Sequence, residues 1–273
     1  METHEIANHI LKRIEEERSA IQQQFEASKK AIGHFYIDNV LPADLVARVY
    51  DLFPDKEQMV LKKSLREYKH VAAQMDDYDP LLEKVIYAFQ DPRIVSLVGE
   101  ICEIDDLEPD EHLYAGGISL MAKDNFLNPH LDNSHDKDRD RWRILNLLYY
   151  VTPDWQDEYG GHLEVWPRGL EHEQITIHSR YNRLAVMATH NKSWHSVSPV
   201  VFDGQRCCVS NYYFSKQPLR SDDTFHVTSF RARPGQKFKD FVLKTDAKLR
   251  MAVRKVFKKG VRENPHQYRK DDK

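Results

Sequence analysis

The segment NPHLDNSHDKD, residues 128–138, crowds histidines and aspartates into eleven positions. Its His130-x-Asp132 triplet offers two metal ligands. Alone it decides nothing, because 14 histidines among 273 residues make about one such triplet expected by chance. A third ligand must come from elsewhere in the chain. SWHSVSPV supplies His195, 63 residues after Asp132, in a stretch that reads as a strand. Two imidazoles and one carboxylate on one face of Fe(II) leave open positions for other ligands. Eleven residues further, Arg206 follows the Asp203-Gly204 turn and opens an apolar strand. That turn is expected to fold the strand back beside the His195 strand and so bring Arg206 near the metal. A guanidinium is a planar fork that grips a carboxylate through two hydrogen bonds. A metal with open positions beside such a clamp is what binding a 2-oxo acid requires.

These residues need a scaffold. Residues 5–32 predict one long amphipathic helix, with Ile6, Ile10, Ile14, Ile21, Phe25 and Ile32 on one face and Gly33 as its stop. HFYIDNVLP reads as a short strand and turn, and Pro42 opens a helix through Phe53. Residues 55–80 are polar without clear periodicity, and read as a loop or lid. PLLEKVIYAFQ and PRIVSLVGEIC are short helices that each begin at a proline. From about residue 112 the chain turns to β-branched and aromatic runs: HLYAGGISLMA, RILNLLYYVT, GGHLEVWP, QITIHS, RLAVMAT, SVSPVVF and RCCVSNYYFS. Short strands punctuated by Gly-Gly, Pro-Asp and Asp-Gly predict a sandwich or jelly roll. Cys207 and Cys208 fall on opposite faces of their strand and cannot jointly hold one metal. Helical periodicity returns over residues 238–257, where Phe238, Phe241, Val242, Leu249, Val253 and Val256 share a face expected to pack on the barrel or a partner subunit.

Composition bounds the rest. A 41% hydrophobic, 30% charged chain supports a real core and a soluble protein. No apolar run approaches the roughly eighteen residues of a membrane span, and the N-terminus does not read as a signal peptide. Three cysteines, two of them adjacent, make no disulfide framework, so a reducing, cytoplasmic setting is expected. Net charge is −3, yet residues 236–273 hold thirteen Lys/Arg against five Asp/Glu. That asymmetry reads as an interaction tail or as a basic helix on an acidic body. No nucleic-acid partner is expected, and a homodimer is left open.

The succession of His130-x-Asp132, GGHLEVWP, RLAVMATHNKSWHSVSPV and RCCVSNYYFS resembles the iron(II)/2-oxoglutarate-dependent oxygenases, in their prolyl-4-hydroxylase-like branch. HFYIDNVLPADLVARVYDLFP is similar to the N-terminal strand and helix of that branch, and the likeness spans roughly residues 34–215. The resemblance implies a double-stranded β-helix (jelly-roll) domain; joined to the periodicities above it gives an α+β chain with an N-terminal amphipathic helix over residues 1–33, the jelly-roll domain with a helical N-terminal part over 34–235, and a basic helical extension over 236–273. It implies Fe(II) on His130, Asp132 and His195. It also implies 2-oxoglutarate as cosubstrate with its distal carboxylate on Arg206, and O2 as oxidant. Decarboxylation to succinate and CO2 would then be coupled to hydroxylation of an unactivated C–H. Some relatives place a hydroxyl two residues after the arginine. Here that position is Cys208, so Ser210, the nearest hydroxyl on the same face, and Asn146 or a tyrosine of RILNLLYYV are the expected helpers. MAKDNFLNPH also lacks a tyrosine that some prolyl hydroxylases carry.

Competing readings stand beside this one. His135, Asp136, Asp138 and Asp140 read as a solvated loop, with a place at the mouth of the site as the alternative. Gly160-Gly161 reads as a turn, and Trp194 as core. HLDNSHD faintly resembles a His-x-His-x-Asp-His hydrolase signature, but residue 132 is aspartate where that signature needs histidine, and Arg206 has no role there. A catalytically silent jelly-roll binding module is the third reading. For substrate, a small metabolite or biosynthetic intermediate is favoured over a protein residue, since no recognition domain is evident.

Overall fold

Side chains alternate along β7 (Trp142–Tyr150) and β12 (Gln205–Ser215), and the alternation sorts two chemistries onto two faces. Leu145, Leu147, Tyr149, Cys207, Val209 and Tyr213 join the core beneath the helices. Leu148, Tyr150 and Cys208 turn the other way, into a smaller cluster with Leu163, Val165, Ala185 and Met187 inside the barrel. The two cysteines thus part to opposite faces, as the strand period requires.

The computed structural model describes residues 1–114, 116–256 and Tyr268. Its remaining strands are β1 (His34–Asp38), β2 (Val60–Lys63), β3 (Glu67–Ala72), β4 (Glu108–Pro109), β5 (Gly117–Ala122), β6 (Phe126–Leu131), β8 (Leu163–Val165), β9 (Ile175–Ile177), β10 (Arg183–Ala188), β11 (His195–Val197) and β13 (Ser229–Phe230). They form one antiparallel sheet in the order β1-β10-β7-β12-β5-β3-β6-β11-β8-β9, curled into a nearly closed, jelly-roll-like barrel. Helices α1 (Thr3–Glu16), α2 (Arg18–Ser28), α3 (Ala43–Asp51), α4 (Pro80–Ala88) and α5 (Pro92–Cys102) supply the helix-side core, and α6 (Lys237–Val256) lies by β13. The helices α4 and α5 begin at their prolines as expected, with Asp79 and Asp91 accepting from the backbone N–H groups of Leu81 and Arg93.

Four expectations need correction. The long N-terminal helix is two helices that part at Glu17. The break lets α1 pack on α4 while α2 packs on β1 and α5. Nor does Gly33 stop a helix. It lies where a Cβ would come within 2.6 Å of the Phe25 ring, so it serves close packing. Residues 55–80 are not a plain loop, because β2 and β3 form a hairpin whose second strand also pairs with β5 and β6. Finally, α6 does not pack its aromatic face on the barrel. Phe238, Phe241 and Leu249 are 82%, 68% and 64% exposed, while Leu243 is buried. Ion pairs from Asp240 to Arg231 and from Asp246 to Arg66 tether the helix instead.

Ile10 is fully buried in the helix-side core. Ile10→Ala should lower the unfolding free energy by about 3 kcal/mol, read as a lower urea midpoint at unchanged slope.

Candidate active site

The structure brings His130, Asp132 and His195 together. The antiparallel pairing of β6 with β11 sets His130 directly opposite His195, and their ring centroids lie 4.1 Å apart. Asp132, just past the end of β6, turns its carboxylate between them. Its Oδ1 is 3.5 Å from His130 Nε2, and its Oδ2 is 3.6 Å from His195 Nε2. One ligand atom from each residue falls within 4.8 Å of the others.

Tautomers follow from the other ring nitrogens. His130 Nδ1 lies 3.0 Å from the Asn128 carbonyl, and His195 Nδ1 lies 2.9 Å from the Ser193 carbonyl. A carbonyl can only accept, so both Nδ1 atoms carry the proton and both Nε2 atoms present a lone pair. Two lone pairs and a carboxylate facing one another form a set of acceptors without a donor, which suits a cation. Burial, reinforced by His130, holds the His195 imidazole down to about 4, so it is neutral near pH 7. Burial alone would raise Asp132, but the Arg143 guanidinium holds its carboxyl well below the ordinary range. The donor set fits Fe(II).

Two residues steady the carboxylate. Asn146 donates from Nδ2 to Asp132 Oδ2 at 2.7 Å, and Arg143 Nη1 lies 3.4 Å from the same oxygen. Asn146 is therefore placed against Asp132, and its register partner Tyr212 lies six positions along β12 from Arg206. Its Oδ1 and the Arg143 Nε are buried without a hydrogen-bond partner among the described residues. Arg143 escaped the sequence reading because simple alternation sets it off from Asn146. A bulge, where Tyr213 faces Leu145 but Phe214 faces Arg143, inserts the extra residue that re-aims it. Phe230 on β13 stacks on His130 at 5.1 Å, a contact the sequence did not signal.

Arg206 reaches the barrel interior by a different route from the one expected. Strand β12 pairs with β4, β5 and β7, whereas β11 pairs with β6 and β8, so Arg206 does not lie beside the His195 strand. It points inward from across the barrel, with its guanidinium 5.3 Å from the Tyr150 ring centroid. Its Nε is buried without a hydrogen-bond partner among the described residues, as a clamp awaiting a carboxylate would be. Gly161 is more than a turn residue, since a Cβ there would come within 3.0 Å of Arg206 Cδ. Ser210 shares the inward face of β12, with its Oγ 3.9 Å from Cys208 Sγ.

The loop after the triplet is only partly solvated. His135 is buried against Trp142 at 4.0 Å between ring centroids. Asp136 lines the cavity over the site while accepting from Arg141 Nε at 3.0 Å, so its work is to hold the loop. Arg143 and Asp132 are both poorly exposed, and removing one partner of such a pair strands a buried charge. Arg143→Met should cost the metal-free protein about 3 kcal/mol in chemical denaturation, and less once a divalent metal compensates Asp132.

Comparison with known proteins agrees with this geometry. Residues 116–214, from the strand before His130 to the end of β12, match the family model of the 2OG-Fe(II) oxygenase superfamily. No curated protein matches the chain. A prolyl-4-hydroxylase from Pseudomonas putida superposes with a TM-score of 0.51 at 17% identity, covering 72% of this chain and 99% of that one. A prolyl 4-hydroxylase structure from Phytophthora capsici superposes at 0.55 and 11% identity, covering 93% and 80%. The non-heme alpha-ketoglutarate-dependent epimerase SnoN from nogalamycin biosynthesis superposes at 0.50 and 16% identity, covering 81% and 89%. These likenesses speak for the fold, and the family match over the site-bearing strands speaks for Fe(II), 2-oxoglutarate and O2. The hydrolase and silent-module readings fall away: residues 116–214 carry a 2OG-Fe(II) oxygenase domain, which supports a 2-oxoglutarate-dependent dioxygenase.

Proposed function

We propose that His130, Asp132 and His195 hold the iron, that Arg206 grips the distal carboxylate of 2-oxoglutarate, and that the enzyme hydroxylates an unactivated C–H of a small molecule. The observation that carries the metal assignment is the pair of imidazoles with Nδ1 protons committed to backbone carbonyls, so that both Nε2 lone pairs face the Asp132 carboxylate. When bound, iron supplies the oxidation of substrate by O2, driven by decarboxylation of 2-oxoglutarate. The chain's own residues prepare the place. Asn146 and Arg143 fix the carboxylate in one orientation, and Gly161 leaves Arg206 room to extend into the barrel. Ser210 stands on the same inward face as Arg206 and can offer its hydroxyl to the cosubstrate.

A small substrate is supported by the cavity over the site, about 800 Å³, within the range of small-molecule sites. Hydroxylation of a protein residue is the second reading, favoured by the likeness of the fold to prolyl-4-hydroxylases. Buried free thiols at Cys102, Cys207 and Cys208 support a reducing, cytoplasmic setting. Among the described residues no helix is long and apolar enough to cross a membrane.

Asp132→Ala should abolish succinate formation and lower iron affinity in anaerobic titration, while Asp136→Ala should keep both. Metal loss in Asp136→Ala, with full activity in Asp132→Ala, would overturn the ligand assignment. Arg206→Ala should weaken 2-oxoglutarate binding by about 2–5 kcal/mol and leave iron binding largely intact. An unchanged apparent affinity for 2-oxoglutarate would mean that another residue is the clamp.

A further inference from the structure

The cavity over His130 and Asp132 has an unusual distribution of charge. One wall is the β2–β3 hairpin, which contributes Lys62, Arg66 and Lys69, and α6 contributes Arg250 beside them. Carboxylates paired with this group are fewer. Arg66 and Arg250 share a single partner, Asp246, Arg66 through Nη2 to Oδ1 and Arg250 through Nε to Oδ2. Lys69 lies 3.2 Å from Glu67 Oε2, and Lys62 acts on the same carboxylate. Four cations against two carboxylates leave two positive charges on this wall.

The donors are also incompletely used. Arg250 Nη2 is buried without a hydrogen-bond partner among the described residues, as is the Nε of Arg143, the deeply buried arginine that also lines the cavity. Burial and the neighbouring Arg66 both press the Arg250 guanidinium toward losing its proton, so the grouping opposes its own charge. Gathering and desolvating like charges costs stability unless a counter-charge answers them. The distal carboxylate of 2-oxoglutarate is not that counter-charge in the proposed function, because Arg206 faces the barrel interior and does not line this cavity.

Resting on that reading of the site, we propose that the substrate is a phosphorylated small molecule. Its phosphate sits between the hairpin and α6, held by Lys62, Arg66, Lys69 and Arg250. A phosphate monoester carries nearly two negative charges at neutral pH and so matches the two uncompensated cations. Arginine forks and lysine point charges are both suited to its oxygens. A cavity of about 800 Å³ suits a small ligand. Leu127 and Phe230 line it too, giving the uncharged part of the molecule an apolar surface next to His130.

Calorimetric titration with glycerol phosphate tests this, with glycerol and a polyglutamate peptide as comparison probes. The full chain is used metal-free and again under anaerobic conditions with Fe(II) and 2-oxoglutarate. The phosphate ester should bind both forms and glycerol neither. Lys62→Gln, at a half-buried position, should already weaken binding, and Lys62→Gln with Arg250→Gln should weaken it by about tenfold or more. Lys12→Gln, on the exposed side of α1, should change nothing, and Arg250→Lys should retain most of the affinity of the native protein. Thermal unfolding of each variant separates lost binding from lost fold, and the single Lys62 variant decides if the double variant unfolds. Equal binding by native protein and Lys62→Gln would overturn the proposal. So would binding that vanishes without metal, or tighter binding of the peptide than of the phosphate ester. Failure of the oxygenase assignment would look different: Fe(II) and 2-oxoglutarate would not bind the native chain, while glycerol phosphate still would.

Discussion

Everything at the site depends on one register: His130 of β6 directly opposite His195 of β11. Antiparallel pairing brings two side chains on one face to within contact distance, and here both are imidazoles committed to the same tautomer by backbone carbonyls. A slip of one residue would send the His130 side chain to the other face. The register is therefore also the chemical specification, because it decides whether two lone pairs and a carboxylate converge. Residues at both ends of the pair reinforce it. Phe230 of β13 lies opposite and stacked on His130, and Val165 of β8 lies opposite His195.

Burying such a group is unfavourable unless it is compensated, since two neutral rings and an ionised carboxylate give up water. Compensation comes from β7, which presents Asn146 and Arg143 to Asp132 from the neighbouring part of the barrel. The same strand presents Leu145 and Leu147 to the helices. One strand thus serves an apolar core on its outer face and a polar site on its inner face. The extensive helix-side cluster, from Ile6 of α1 to Tyr213 of β12, carries the burden of stability and frees the interior to be polar where chemistry requires it.

Much of this was legible in the sequence, for identifiable reasons. His130, Asp132 and His195, which the structure brings together, were singled out by residue type, order and spacing, and the run of short strands announced a jelly roll. Other features were hidden by local chemistry. The strand that bears His130 was not expected because Pro129 interrupts it, and proline is unusual inside a sheet. It survives there with its carbonyl accepting from Arg231 N. Arg143 was masked by a bulge that breaks strict alternation. The partners of β12 could not be read from the Asp203-Gly204 turn, because that turn only ends a seven-residue connection, 198–204, which carries the chain from β11 past β6, β3 and β5 to β12. The orientation of α6 went against its periodicity because ion pairs at Asp240 and Asp246, not its aromatic face, hold it to the body.

In the proposed function His130, Asp132 and His195 would hold one iron and Arg206 the distal carboxylate of 2-oxoglutarate, leaving the keto-acid end of the cosubstrate to chelate the metal. Anaerobic visible spectroscopy of the native chain tests it most directly, since chelation of iron(II) by a 2-oxo acid produces a metal-to-ligand charge-transfer band. The band should rise when Fe(II) and 2-oxoglutarate are both present and be absent with either alone. Succinate, which lacks the keto group, should not produce it. No band at saturating concentrations of both, in protein shown to be folded, would contradict the claim.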